Sequence, residues 1–196
     1  MSGKARRPKN DKKPVVYWDT CIVISLIKKE QRADSTETEA IRELRRKLDA
    51  GEITVVTSAI TLTEVLDSEI PDGNRGELQK LQQMPDRFSL VDVGPAEAEK
   101  AHAIRDHYKK MPEKQGKTVS TPDAIHLATA IIWECDAFYT FDEKDHDGKK
   151  TLGLLPLSGD DAVDNLVIRK PPPPAERPLG IPGEEGVWDN QGLGDV

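Results

Sequence analysis

The sequence predicts an α/β fold in three layers, with a mostly parallel central sheet of four or five strands between two layers of helices. Short apolar segments rich in β-branched and aromatic residues alternate along the chain with longer segments of helical periodicity. This alternation is typical of parallel strands joined by helical crossovers. No internal repeat is visible, and all of these segments fall within residues 14–170, which we expect to form one domain.

The predicted strands are short and end abruptly. The first begins at Val15, continues for four or five residues and stops at Asp19. The remaining strands are predicted over 53–57, 88–93 and 137–141, with a short last one over 166–168. Apolar runs of this length, bounded by polar residues, are typical of strands that are buried on both faces.

The predicted helices fill the intervals between the strands. They begin at about residue 22 and cover 36–48, 59–66, 73–84, 96–111 and 121–132. Ser58 is the expected N-cap of the third helix, and Thr121 is the expected N-cap of the last, with Pro122 at its first helical position. The last helix is apolar almost all the way round, so we expect it to be the central buried helix.

The two ends of the chain differ from the middle in charge. Residues 1–13 carry six basic residues and one acid, which predicts a disordered basic arm. Residues 171–196 carry five acids and one base among many Pro and Gly residues, which predicts an extended or disordered acidic tail. The net charge of −7 argues against a protein that coats nucleic acid, but it is compatible with a nuclease that meets phosphate through a bound cation.

Composition also limits the cellular context. No segment approaches the roughly 18 apolar residues that a membrane helix needs, and no apolar stretch near the start is typical of a secretory signal. The two cysteines, Cys21 and Cys135, form neither a disulfide framework nor a zinc motif. We therefore expect a cytoplasmic protein with no membrane association.

Carboxylates at one edge of the sheet are the candidates for chemistry. Asp19 and Asp142 each follow a predicted strand, and the carboxyl ends of parallel strands meet at one edge, where ligands bind. Asp123 lies in the first turn of a helix, where an acid also serves as an ordinary cap. Glu64 lies away from the apolar stripe of its helix, so periodicity predicts a residue facing solvent. For His126, one turn after Asp123, the pattern favours a buried structural role.

Four sequence blocks resemble the PIN-domain ribonucleases, and most closely the VapC-type toxins of toxin–antitoxin pairs. The blocks occur in the family's order and are centred on Asp19, Glu64, Asp123 and Asp142. The most specific of them is Asp-Ala-Ile-His-Leu-Ala-Thr-Ala, which begins at Asp123. The chain departs from the family at Cys21, where Asn or a hydroxyl residue is usual; a thiol is a weaker hydrogen-bonding group.

The resemblance implies a pocket in which Asp19, Glu64, Asp123 and Asp142 are catalytic residues and bind metal. Thr20 and Thr140 would orient ligands or water, and Asp145 would be an outer acid. Crowded carboxylates repel one another unless a hard cation neutralises them, and oxygen ligands suit Mg²⁺ or Mn²⁺. The implied activity is endonucleolytic cleavage of single-stranded or structured RNA to 5′-phosphate and 3′-hydroxyl ends. A cognate antitoxin and a homodimer are implied partners.

Two other functions are compatible with the sequence. One is a non-catalytic PIN-like module that binds RNA or a protein, which Cys21 and the acidic charge balance would suit. The other is a metal-dependent phosphatase in which Asp19 is the nucleophile. The phosphatase would usually carry a second Asp two residues later, and this chain has Cys21 there.

Overall fold

Five parallel strands form a single sheet at the centre of the protein. The computed structural model describes residues 13–74, 76–114, 116–143 and 151–175. The strands pair in the order β3-β2-β1-β4-β5, and every pairing is parallel. Their bounds are β1 Val15–Trp18, β2 Thr54–Ser58, β3 Phe88–Val91, β4 Ala137–Tyr139 and β5 Ile168–Arg169. With helices on both faces, this sheet confirms the predicted three-layer α/β/α fold.

Helices form in each of the predicted intervals. They are α1 Thr20–Lys28, α2 Ser35–Asp49, α3 Ile60–Asp67, α4 Gly76–Gln82, α5 Pro95–Lys110 and α6 Thr121–Ile132. The first helix begins at Thr20 rather than at residue 22, because the Asp19 carboxylate accepts a hydrogen bond from the Thr20 N–H and caps the helix. A single 3-10 turn over Asp72–Asn74 precedes α4, which shortens that helix at its start.

Two predicted helix caps are wrong. Ser58 ends β2, and the N-cap of α3 is Ala59, whose side chain makes no capping bond. The N-cap of α6 is Ser120, whose hydroxyl accepts a hydrogen bond from the Asp123 N–H at 3.2 Å, while Thr121 is the first helical residue. Ser58 still accepts a long hydrogen bond of 3.4 Å from the Ile60 N–H, but it belongs to the strand, so the backbone and not the residue type decides where each helix begins.

Alternate residues of each strand face two separate cores. Tyr17 and Phe138 pack beneath α5 and α6, and their rings are stacked with centroids 4.9 Å apart. Val16, Trp18 and Tyr139 point to the opposite face, where α1 and α2 cover them. Both faces of the central strands are therefore buried, as is usual for a parallel sheet covered by helices on each side.

The strand order reverses at the carboxyl edge between β1 and β4, a position that we call the crevice. Apolar residues of α1 through α4 belong to one core, and those of α5 and α6 belong to the other. The chain steps from β1 to β3 in one direction and then returns past β1 to β4 on the other face, as right-handed crossovers require. Such a reversal of strand order opens a ligand-binding crevice. Trp18 pairs with Tyr139, so Asp19 and Thr140 leave the sheet side by side.

Several sequence predictions concern residues outside the described ranges. These are Asp145, all but the last residue of the basic arm, and the acidic tail from residue 176 onward. Among the residues that the structure describes, no helix combines the length and the apolar character needed to cross a bilayer.

Candidate active site

Asp19 lies at the centre of the crevice and is held on both carboxylate oxygens. It follows β1 directly, and its side chain is only 7% exposed. Oδ1 accepts the Thr20 N–H at 2.7 Å, and Oδ2 accepts the Thr140 hydroxyl at 2.6 Å. The helix N-terminus and two neighbouring strands thus stabilise a buried carboxylate in one orientation.

Cys21 connects Asp19 to the loop that follows β4. Its thiol donates to Asp19 Oδ2 at 3.3 Å and lies 3.6 Å from the Thr140 hydroxyl oxygen, while its sulfur accepts the Phe141 N–H at 3.4 Å. Burial raises the pKa of Cys21 well above its ordinary value, and the charge of Asp19 raises it further. The thiol is therefore neutral at physiological pH, which makes it a hydrogen-bonding group and not a nucleophile.

Glu64 reaches the same crevice from α3. The Thr20 hydroxyl donates to Glu64 Oε2, and His126 Nε2 lies 3.0 Å from the same oxygen. The side chain is 32% exposed, so it lies at the rim with its carboxylate turned inward. Burial alone would raise the pKa of Glu64, but the hydrogen bonds from His126 and Thr20 outweigh it and lower that pKa.

Asp123 enters the crevice from the first turn of α6. The Ser120 hydroxyl donates to its Oδ2, and its own N–H is capped by Ser120 in return. Burial raises the pKa of Asp123; the Ser120 hydrogen bond opposes this rise, and the charges of Asp19 and Glu64 add to it. The charges of Asp19 and Glu64 therefore both act on Asp123.

Asp142 lies at the same edge, beyond β4. Its N–H donates to the Thr140 hydroxyl oxygen at 3.0 Å, and its Oδ2 accepts the Leu154 N–H at 3.1 Å. The Asp142 carbonyl oxygen also accepts from Leu154 and Leu155. The carboxylate thus anchors the segment before the turn at Leu155–Leu157, in addition to any role in the crevice.

The arrangement fits an open cation site better than a closed one. Within the described ranges, no three His, Cys, Asp or Glu side chains are grouped so that they could hold a metal ion. Mg²⁺, however, usually binds through one or two carboxylates and keeps several of its waters. Asp19 and Asp123 offer only oxygen atoms, and the raised pKa of Asp123 shows that its negative charge is poorly compensated there. A hard divalent cation would relieve that cost.

Sequence patterns missed part of this site. Glu64 lies within hydrogen-bonding distance of His126 and Thr20, although its helical position predicted exposure to solvent. His126 is buried, as expected, but it also contacts a crevice acid. The available signal was its position one turn after Asp123, which places both side chains on the same face of α6.

Comparisons with solved structures find similar chains at low identity. VapBC2 from Rickettsia felis, bound to a promoter DNA fragment, is 16% identical over 80% of this chain and 98% of that one, with a TM-score of 0.49. FitAcB from Neisseria gonorrhoeae is 16% identical over 80% of this chain and 97% of that one, also with a TM-score of 0.49. A chain of a toxin–antitoxin complex from Klebsiella pneumoniae is 25% identical over 70% of this chain and 95% of that one, with a TM-score of 0.43. No curated protein sequence matches this chain.

A family model identifies the domain itself. The model of the PIN domain matches residues 16–148, a range that runs from β1 through β4 and includes the four sequence blocks. The match covers more than half of the chain and agrees with the parallel sheet described above. The chain therefore belongs to the PIN domain family.

Proposed function

We propose that this protein is an endoribonuclease that depends on Mg²⁺ or Mn²⁺. What supports the proposal is the set of contacts around Asp19, Glu64 and Asp123. Thr20 bonds to both Asp19 and Glu64, and His126, one turn after Asp123, contacts Glu64. Burial also raises the pKa of Asp123. Acids gathered at such a cost are typical of a functional site. PIN-family membership and the resemblance of the four blocks to ribonucleases support RNA as the substrate.

The proposed roles follow from how each acid is held. Asp19 and Asp123 would contact the cation directly, since hydrogen bonds already orient their carboxylates, and Asp142 would complete the site through a water of the ion. Glu64 would help bind the cation or accept a proton from the attacking water. When bound, the ion supplies a Lewis acid for the phosphate and a water of lowered pKa. Thr20 and Thr140 would act by orienting Glu64 and Asp19.

RNA cleavage under metal control tests the proposal directly. The purified chain would be incubated with 5′-labelled single-stranded and hairpin RNA, with Mn²⁺ or Mg²⁺ and with or without a chelator. We expect cleavage that needs the metal and leaves 5′-phosphate and 3′-hydroxyl ends. Cleavage that survives chelation would remove the metal mechanism. Phosphate release from a small ester, with intact RNA, would indicate the phosphatase instead.

The cellular role that we propose is that of a toxin paired with an antitoxin in the cytoplasm. It rests on the resemblance of the four blocks to VapC-type toxins, which also implies a homodimer. Expression of the intact chain in a bacterial host should slow growth, and the Asp19→Asn variant should not. Light scattering of the purified protein measures whether it is dimeric. Normal growth at a confirmed level of active enzyme would contradict the toxin role.

A further inference from the structure

His126 connects the acid crevice to the buried core of the sheet. It lies on α6 with 1% of its surface exposed. On one side its Nδ1 is 2.7 Å from the Tyr17 hydroxyl oxygen. On the other side its Nε2 is 3.0 Å from Glu64 Oε2 and 3.2 Å from the Thr20 hydroxyl oxygen. A histidine that only filled the core would need no acidic partner at the rim of a crevice.

The surrounding donors determine which nitrogen carries a proton. The Ser58 N–H donates to the Tyr17 hydroxyl oxygen at 2.9 Å, so that oxygen already accepts one hydrogen bond and its O–H proton can be donated. Tyr17 can therefore donate to Nδ1 of a neutral imidazole, which leaves the proton on Nε2, facing Glu64. In the protonated imidazolium, Nε2 also carries a proton. Both forms donate from Nε2 to Glu64.

Glu64 needs such a donor because it lies at the rim of the crevice. Its side chain is 32% exposed, and a glutamate has enough rotatable bonds to turn its carboxylate into solvent. Val65, its neighbour on the helix, is fully buried and fixes the backbone. The direction of the Glu64 carboxylate is then set by the two donors, the Thr20 hydroxyl and His126 Nε2.

We propose that His126 is a positioning residue, which uses its Nε2–H to hold Glu64 beside Asp19 and Asp123 in the geometry that the cation requires. The value of this position for catalysis rests on the proposed metal-dependent function. Partners of this kind, which orient a metal ligand without touching the metal, typically change affinity or activity by about 10- to 100-fold when they are removed.

Two substitutions of His126 separate positioning from packing. In His126→Gln, the amide N–H takes roughly the place of Nε2 and can still donate to Glu64, while the contact with Tyr17 is lost. In His126→Asn, the shorter amide retains an acceptor for Tyr17 but loses the donor to Glu64. Tyr17→Phe removes the hydroxyl that contacts both His126 Nδ1 and the Ser58 N–H, while the Nε2 side of the imidazole stays in place. His102→Asn, at an exposed histidine on α5, is the matched control.

Binding of Mn²⁺, measured by calorimetry beside RNA cleavage and melting temperature, gives the first readout. We expect His126→Asn to weaken Mn²⁺ binding and cleavage by about 10-fold or more, while His126→Gln stays within about threefold of the wild type. Wild-type Mn²⁺ affinity in a folded His126→Asn variant would overturn the proposal. Equal losses in both variants, in step with their melting temperatures, would also overturn it and leave a packing role.

A second readout needs no metal and no activity. In the metal-free protein, the imidazole Nε2–H of His126 should give a slowly exchanging proton resonance in NMR, and that resonance should move in Glu64→Gln. A resonance that is unchanged by Glu64→Gln would contradict the contact. If the wild type neither binds Mn²⁺ nor cleaves RNA, the proposed function fails, and this spectrum still decides whether His126 holds Glu64.

Discussion

Helix α2 and the acid crevice both concentrate carboxylates, but they compensate them differently. On α2, the Arg46 guanidinium lies 2.8 Å from Glu43 and 2.8 Å from Glu52, and these contacts lower the pKa of both acids. In the crevice, Asp19 and Asp123 receive hydrogen bonds from hydroxyl and amide groups, and the pKa of Asp123 is raised.

The difference separates acids whose charge stabilises the folded state from acids whose charge destabilises it. A lowered pKa means that the folded state favours the charged carboxylate, and a raised pKa means that it disfavours it. The charged Glu43 therefore stabilises the folded state, whereas the charged Asp123 destabilises it. Costs of this kind are expected at functional sites, where a ligand offsets them.

The largest expected effect is a loss of RNA cleavage when one carboxylate of the crevice is neutralised. Neutralising a carboxylate of α2 should leave cleavage unchanged. Asp19→Asn should reduce RNA cleavage by more than about 100-fold, because one ligand oxygen becomes an amide nitrogen. Asn is as good an N-cap as Asp, so the fold should remain intact. The control is Asp49→Asn, which removes the exposed Arg45–Asp49 pair, 2.8 Å apart on α2. Comparable losses of cleavage in both variants would contradict the assignment of Asp19.

Added metal should stabilise the protein through the crevice alone. Saturation with Mn²⁺ at 100 times its dissociation constant stabilises the folded state by about 2.7 kcal/mol. For a chain of this size, that corresponds to a rise in melting temperature of about 5 to 10 °C. Calorimetry should show this rise in the wild type and in Glu43→Gln, but not in Asp19→Asn. A rise that persists in Asp19→Asn would locate the metal elsewhere.

The two regions should also respond to pH with opposite signs in the metal-free protein. The lowered pKa of Glu43 gives stability that is present above about pH 4.3, its unfolded pKa, and lost as the pH falls through the folded pKa. Glu43→Gln should therefore lower the free energy of unfolding by about 0.5 kcal/mol at pH 7 and leave it unchanged in acid.

Asp123 should behave in the reverse way. Its folded pKa is raised, so the folded state binds more protons and the charged form destabilises the protein at neutral pH. Asp123→Asn should raise the melting temperature at pH 7, and the gain should vanish as the pH falls through the raised pKa toward about 3.9. Melting curves from about pH 2 to pH 8 measure both variants, since the folded pKa of Glu43 lies below its ordinary value. A loss of stability in Asp123→Asn at pH 7 would show that the cap interaction with α6 dominates instead.

Sequence patterns predicted the backbone positions of this site well, but they predicted its side-chain contacts poorly. The strand ends placed Asp19 at the sheet edge, because strand length and parallel topology follow from apolar patterning. Periodicity alone placed Glu64 in solvent, because it measures only apolar contact; the resemblance to the PIN family named Glu64 as a site residue, and in the structure its carboxylate is held by Thr20 and His126. Those partners come from α1 and α6, and no local pattern reports a hydrogen bond between elements so distant in the chain.

The smallest expected effect concerns Cys21, whose thiol lies between Asp19 and the segment that follows β4. Its thiol is a weak donor to Asp19 at 3.3 Å, and Asp19 also has the Thr140 hydroxyl at 2.6 Å and the Thr20 N–H. Cys21→Ala removes this donor and the acceptor for the Phe141 N–H, but Asp19 keeps its two stronger donors, so kcat/KM should fall by about 2- to 10-fold.

Serine at position 21 distinguishes a hydrogen-bonding role from a chemical one. Cys21→Ser retains a donor for Asp19 and an acceptor for the Phe141 N–H, so its kcat/KM should remain within about threefold of the wild type. Because burial and Asp19 keep the Cys21 thiol neutral, iodoacetamide should also react slowly with the folded protein. The serine oxygen can replace the hydrogen bonds of the sulfur. If kcat/KM nevertheless fell by more than about 100-fold in Cys21→Ser, while Mn²⁺ still raised its melting temperature, the sulfur itself would have to take part in the reaction.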